Sequence, residues 1–166
     1  AEWYDRLMPH VVPTNEPDFV TASETIIVED GDRSLRFDPA PDLSIEVTTE
    51  FPSIPKACVV GNLSNFRSFM RARTFGFLEE HECLKAQGLA RGAHFDNVLV
   101  FDQHGEAINA GQIPAAEEVA RHKWLDLLGD LATLGRPWTG HIQAVKPGHD
   151  LNIRLARALS KSMAKS

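Results

Sequence analysis

Three polar side chains stand at four-residue intervals in the longest helix-like segment of the sequence. His122, Asp126 and Asp130 are spaced i, i+4 and i+8, so each is offset by only about 40° from the one before. A histidine and a carboxylate one turn apart can clasp a metal ion, and the next carboxylate can orient a neighbouring group. The same pattern is typical of a solvated helix face or a surface ion pair. Gly129 and Lys123 strengthen the interpretation as a functional site, because Gly129 permits close approach and Lys123 adds a cation beside the carboxylates.

A second candidate is His149, which follows Pro147 and Gly148 at the expected start of the last helix. A side chain there projects from a tight turn. A helix N-terminus disfavours the imidazolium, whereas a nearby aspartate restores it, so such a histidine can be tuned to donate a proton. The alternative is a histidine that only caps or decorates the turn.

A third candidate is the segment 73–77, where the Thr74 hydroxyl and backbone donors near Gly76 could stabilise an oxyanion. The alternative is that Phe75 and Phe77 belong to the core. Residues 92–97 likewise have the composition of a simple turn.

These residues need a scaffold, and the hydrophobic periodicity predicts one. Alternation over residues 43–51 is the clearest strand, and Asp30-Gly31 predicts a hairpin turn. The predicted strands are 18–29, 33–37, 43–51, 57–60, 97–101 and 139–145, and the predicted helices are 62–73, 78–87, 115–134 and 150–163. This order predicts an α+β fold: a mixed β-sheet covered on one face by helices, with a small inserted α/β excursion.

Composition narrows the class of protein. The chain has 166 residues, with 17 Lys and Arg against 23 Asp and Glu, which suits one domain and disfavours binding to nucleic acid or to an anionic membrane. Cys58 and Cys83 are expected to be buried thiols in a reducing cytosol. The sequence shows no apolar run of the ~18 residues that a transmembrane segment needs, and no charged-then-apolar leader, so we expect a cytoplasmic protein.

Five ordered motifs together carry a family resemblance. They are VEDGD at 28–32, ARTFGF at 72–77, the stretch from Gly88-Leu89 to Phe95-Asp96-Asn97, RHKWLD with Gly129-Asp130-Leu131 at 121–131, and KPGHDLN at 146–152. In this order and spacing the chain resembles the second half of UDP-3-O-acyl-N-acetylglucosamine deacetylase, the zinc amidase that commits Gram-negative bacteria to lipid A synthesis. The resemblance extends over nearly all of the chain from about Phe19.

The resemblance implies a role for each motif residue. His122 and Asp126 would be Zn²⁺ ligands, His149 the general acid for the leaving amine, and Asp130 its orienting partner. Thr74 would help to hold the oxyanion, Lys123 would contact the substrate, and Phe75 would contact the nucleotide sugar.

The excursion at about 78–101 resembles the family's insert, which forms a hydrophobic passage for the acyl chain. The residues implied to line that passage are His81, Ala90, Ala93, His94, Val98 and Val100. Two of them are histidines, which are polar for a passage that holds an acyl chain.

The resemblance also implies a partner domain. In the family, two similar α+β domains enclose the active site, and the first supplies a third zinc ligand, a histidine, and the glutamate that activates water. We expect residues 1–12 to be the remnant of that domain or a linker, and residues 13–166 to be the C-terminal deacetylase domain. The chain alone should then be inactive on UDP-3-O-acyl-N-acetylglucosamine and should expose apolar side chains around the helices at 62–73 and 115–134. The alternative is a free-standing, non-catalytic domain that binds metal, nucleotide or lipid.

Overall fold

A five-stranded mixed sheet forms the centre of this computed structural model, which describes residues 2–12, 19–80, 86–88 and 91–163. Its strands lie in the order β1-β2-β7-β3-β4, where β1 is Ile26–Asp30, β2 Arg33–Asp38, β3 Leu43–Thr49, β4 Ala57–Gly61 and β7 Gly140–Val145. β7 pairs with β3 in parallel, and the other neighbours in this sheet are antiparallel. The predicted mixed sheet is confirmed.

The period-two pattern places one face of the sheet in the core. Ile45 and Val47 of β3 are fully buried, as is Ile142 of the neighbouring β7. The hairpin between β1 and β2 turns at Gly31, whose φ of +61° is a conformation that glycine adopts without a steric penalty. The strand predicted over 18–29 begins only at Ile26.

Two long helices cover the buried face, as predicted. α2 (Ala115–Ala132) packs on β3 and β4, and α3 (His149–Met163) packs on β1 and β2, whereas the short α1 (Glu2–Leu7) lies near the chain's start. Trp124 of α2 is fully buried and donates from its indole Nε1 to the Ile45 carbonyl at 3.0 Å. Gly61 of β4 makes room for that indole, because a Cβ there would lie 2.6 Å from the ring.

A strand that the sequence analysis missed lies directly before the predicted excursion. β5 (Thr74–Phe77) and β6 (Val98–Phe101) form a separate two-stranded parallel sheet. A small core lies beneath it, built from Ile54, Leu99, Phe101 and Val119. Residues 78–80 are helical, in agreement with the predicted start of the helix at 78–87, whereas residues 81–85 lie outside the described ranges.

The helix predicted over 62–73 is wrong. The structure has only a 3₁₀ turn, Phe66–Ser68, within this stretch. The Asn62 side-chain oxygen accepts hydrogen bonds from the backbone N–H groups of Ser64 and Asn65, at 2.9 and 3.2 Å. Such local bonds compete with helix formation. Although the helix is absent, Phe69 still belongs to the core, because it is buried against Trp124.

Apolar side chains were expected to be exposed around the predicted helices at 62–73 and 115–134. This prediction is wrong for α2 and is confirmed at one residue of 62–73. No large apolar side chain of α2, every residue of which is described, is exposed; Leu125 and Leu128 are half-buried. Leu63 is exposed, and further exposed apolar side chains lie near the start of the described chain: Trp3, Leu7, Met8, Val11, Val12 and Phe19.

Two further expectations meet the structure here. Cys58 lies on the outer face of β4 and is exposed rather than buried, because its side chain points away from the helices; Cys83 lies outside the described residues. Among the helices that the structure describes, none has the length and apolar character needed to cross a membrane.

Candidate functional site

The four-residue stripe on α2 brings a histidine and an aspartate together. His122 Nε2 lies 3.5 Å from Asp126 Oδ1, and the other carboxylate oxygen of Asp126 is 2.8 Å from Lys123 Nζ. All three side chains are largely shielded from solvent, at 16–20% exposure. The stripe is therefore a packed cluster rather than a solvated face. Beside it, the space around Gly129 is open.

The surroundings of His122 favour its neutral form. Burial lowers the pKa of the imidazole and outweighs the Asp126 carboxylate and a hydrogen bond to the Ala72 backbone, both of which raise it. The Phe75 ring stands nearly perpendicular to the imidazole, with 6.4 Å between ring centroids. A neutral imidazole is the form that binds metals.

His149 reaches the same cluster from the start of α3. Its Nδ1 lies 2.8 Å from Asp130 Oδ2, and its Nε2 lies 4.0 Å from Asp126 Oδ2. The expected proximity of His149 to Asp130 is therefore found. The ring itself is 68% exposed, so that Nε2 is accessible from solvent on the side of His122 and Asp126.

The turn that carries His149 is held by a residue that the sequence analysis missed. Arg33 donates to both carboxylate oxygens of Asp150, at 2.6 and 3.1 Å, and to the Lys146 carbonyl at 3.3 Å. Lys146 adopts a φ of +51°, which is uncommon for a residue with a side chain. A Cβ on Gly148 would lie 2.7 Å from the Arg33 guanidinium, so glycine is needed for this close approach.

Asn152 is a second residue of the site whose part was not recognised, although it belongs to the quoted motif KPGHDLN. Its amide nitrogen donates to Asp130 Oδ2 at 2.8 Å, and the whole side chain is buried. Asp130 therefore joins α2 to two residues of α3.

Phe75 approaches the cluster from the small sheet. Thr74 is the exposed first residue of β5, and Phe75 follows it. The Phe75 ring lies 5.2 Å from Phe51 between centroids, and Lys123 Nζ lies 5.6 Å from its centroid, a cation–π distance. The structure thus brings Phe75 and Lys123 together beside His122.

A buried ion pair fixes the small sheet to α2. Arg73, the residue before β5, binds both carboxylate oxygens of Glu118, at 2.8 and 3.0 Å. The Arg73 backbone N–H also donates to Glu118, and the guanidinium donates to the Asn109 carbonyl at 3.2 Å. Burial raises the pKa of Glu118, but the hydrogen bonds from Arg73 outweigh it and hold that pKa below its usual value.

A cavity of about 280 Å³ opens beside β6. Its walls include four of the six residues predicted for the acyl passage, Ala93, His94, Val98 and Val100, together with Leu78, Phe95 and Asp96. His81 and Ala90, the other two predicted residues, lie outside the described part of the chain.

A second cavity, of about 260 Å³, is lined in part by Lys123. Lys146 and Arg33 line it together with Phe51, the neighbour of Phe75. Each of the three cations already pairs with a carboxylate: Lys123 with Asp126, Lys146 with Asp32, and Arg33 with Asp150. An anionic group bound in this cavity would therefore compete with these ion pairs. Within the described ranges, no group of three or more His, Cys, Asp or Glu side chains is arranged to hold a metal ion.

Comparison with known families gives a match over most of the chain. The family model of UDP-3-O-acyl N-acetylglycosamine deacetylase (LpxC) matches residues 2–161. The match includes α2, the turn before α3 and both strands of the small sheet. It spans nearly the whole sequence, and the chain therefore belongs to the family of UDP-3-O-acyl N-acetylglycosamine deacetylases, a lineage of lipid A biosynthesis.

Proposed function

We propose that this chain is the C-terminal half of a zinc-dependent amidase that removes the N-acetyl group from UDP-3-O-acyl-N-acetylglucosamine. The observation that carries the proposal is the position of His149. One ring nitrogen is anchored on Asp130 at 2.8 Å, while the other is accessible beside the His122 and Asp126 pair. A proton donor and a pair of metal-ligand side chains thus face the same point.

The geometry of His122 and Asp126 fits a zinc ion. Ligand atoms about 2.1 Å from a tetrahedral zinc lie about 3.4 Å apart, and these two donor atoms are separated by 3.5 Å. The imidazole is biased towards its neutral, ligating form by burial. When bound, zinc would act as a Lewis acid that polarises the acetamide carbonyl and lowers the pKa of water.

In the proposed mechanism, His149 supplies the proton that the leaving amine requires. Asp130 holds Nδ1 and keeps the accessible nitrogen, Nε2, aimed at the reacting group. Thr74, at the exposed start of β5, donates to the oxyanion that develops on the carbonyl.

We assign the substrate's two ends to the two cavities. The acyl chain would enter the cavity beside β6, where His94 makes the wall more polar than an acyl chain prefers. The nucleotide sugar would contact Phe75, with its phosphates near Lys123 and Lys146. Both assignments place the sugar between the cavities, next to His122.

The proposal requires a partner domain. A catalytic zinc site uses three protein ligands and an open position, so we propose that a first domain supplies a third ligand, a histidine, and the glutamate that activates water. Residues 1–12 would be the remnant of that domain or a linker, and residues 13–166 the C-terminal domain. We expect the complete enzyme to work in the cytoplasm.

The test is reconstitution. Mixing the chain with the first domain and zinc should restore hydrolysis of the acetamide, and His149→Ala should remove about 10²–10⁴-fold of that rate while leaving substrate binding intact. The chain alone should bind zinc weakly, and His122→Ala should abolish that binding. Stoichiometric zinc that survives a chelator would show that the chain completes the site by itself. A strictly monomeric chain, indifferent to the first domain and inactive in the mixture, would favour the free-standing binding domain.

A further inference from the structure

A buried amide joins the two helices of the site. Asn152 follows His149 by three residues on α3, and its side chain is 0% exposed. Its Nδ2 donates to Asp130 Oδ2 at 2.8 Å, the same oxygen that lies 2.8 Å from His149 Nδ1. Asp130 Oδ2 therefore contacts both the exposed His149 ring and the buried Asn152 amide.

The other end of this amide is unsatisfied. Asn152 Oδ1 is buried and has no hydrogen-bond partner among the described residues, whereas buried polar atoms in folded proteins are nearly always paired. Turning the amide over would place Oδ1 against Asp130 Oδ2, acceptor against acceptor. The amide nitrogen is therefore fixed by its bond to Asp130, and Oδ1 has no donor in the part of the chain that the structure describes.

The orientation of the His149 ring depends on the hydrogen bond from Asn152 to Asp130. Its ring is 68% exposed and so gains little orientation from packing. Its fixed contact is Asp130, whose carboxylate could rotate if His149 were its one partner. The bond from Asn152 fixes the carboxylate plane from the buried side.

We propose that Asn152 is a positioning residue, which sets the orientation of His149 through Asp130 at the expense of the stability of the fold. This rests on the proposed function, since it takes His149 to be the proton donor. If Asn152 served stability alone, replacing it with an apolar residue of similar shape would lower the free energy of unfolding. The proposal predicts that the same replacement leaves this free energy level or raises it, because it removes a buried, unsatisfied acceptor.

The decisive variant is Asn152→Leu, which is close in shape and has no polar side-chain atom. In the reconstituted enzyme we expect kcat to fall about 10–100-fold, the size of effect that misplacing a catalytic group produces, with KM within about twofold by the same reasoning. The midpoint of urea unfolding should stay level or rise. In NMR spectra of the chain alone, the His149 Nδ1 proton should lose its protection from exchange. Unchanged kcat together with an unchanged His149 signal would overturn the proposal, as would a lower midpoint without a change in kcat.

Three controls separate the possible causes. Leu159→Val alters a buried residue two turns later on α3 and should lower the unfolding midpoint without changing the His149 signal or kcat. Asn152→Asp keeps the shape but opposes two carboxylates, so it should disturb the His149 signal even where Asn152→Leu folds poorly. His149→Ala tests the proposed function itself: if it leaves the rate intact, that function fails, and the NMR result alone decides the positioning of His149.

Discussion

The protein has two regions that are built differently. We call the five-stranded sheet with α2 and α3 the body, and β5, β6 and the residues between them the insert. The body has a continuous core that includes Trp124, Phe37 and Leu155. The insert shares a small core with Val119 of α2 and with Ile54, which lies in the connection between β3 and β4.

Under the proposed function, this difference would separate the catalytic groups from the part that selects the acyl chain. His122, Asp126, Asp130 and His149 all lie on the body, on the two helices that its core holds in place. The cavity proposed for the acyl chain lies on the insert. Catalytic groups need precise placement, which a large core provides. Residues that line the cavity of the insert can change without moving the groups on the body, because the insert packs separately.

The largest expected effect is the loss of the body's core. Trp124→Ala should lower the free energy of unfolding by about 3–5 kcal/mol, because it leaves a cavity where the indole fills the space above Gly61. Leu99→Ala, in the insert, should instead open the insert locally. Urea unfolding with hydrogen exchange measures both, and loss of protection across β3 in Leu99→Ala would show that the two regions unfold as one.

The next effect concerns the link between the regions. Glu118→Gln should destabilise the chain by about 3 kcal/mol, because it leaves the largely buried Arg73 guanidinium without its carboxylate. Hydrogen exchange should rise first in β5 and β6. The matched control is Glu117→Gln in the same turn of α2, whose pair with Arg121 is more exposed and should be worth less than about 1 kcal/mol. Equal losses in both variants would refute a special role for the Arg73 pair.

Acid should weaken the same link. The pKa of Glu118 is held below its usual value, so its ionised form favours the folded state. That stability is present above the unfolded pKa of about 4.3 and is lost as the pH falls through the lower, folded value. We therefore expect the difference in the free energy of unfolding between wild type and Glu118→Gln to shrink as the pH falls below about 4.3 towards the folded pKa. A difference that is constant with pH would contradict this.

The smallest expected effect lies in the insert's cavity. His94→Leu should strengthen binding of substrates with long acyl chains by a few-fold, about the value of one buried methylene or two, and should leave the unfolding midpoint unchanged. Calorimetry with a series of acyl lengths measures this. His104→Leu is the control, because it lies on the exposed turn after β6 and does not line the cavity.

Periodicity predicted the body well because its elements are long. The alternation around Ile45 and Val47 and the helical spacing of His122, Asp126 and Asp130 both follow from the geometry of a single element. Both regularities are present in the sequence without reference to any other segment.

The misses have a different origin. β5 has only four residues, and its Gly76 interrupts the apolar pattern, so no period could develop. The helix predicted over 62–73 failed because the Asn62 side chain competes for backbone donors. The pairs Arg73–Glu118 and Arg33–Asp150 join residues 45 and 117 positions apart, and a single sequence holds no signal for such partners. The sequence could therefore suggest the reactive groups but not what holds them.

The place of β7 in the sheet has a consequence for synthesis. β7 lies between β2 and β3, although it follows β3 by some ninety residues in the chain. A ribosome that has released residues 1–139 has delivered two separate hairpins, each with an unpaired edge facing the missing strand. Such edges recruit other chains, and contacts between distant segments form slowly. Translation that stops before Gly140 should therefore yield an aggregation-prone product. In the nascent chain, β7 must pair with β2 and β3 before another polypeptide pairs with their open edges.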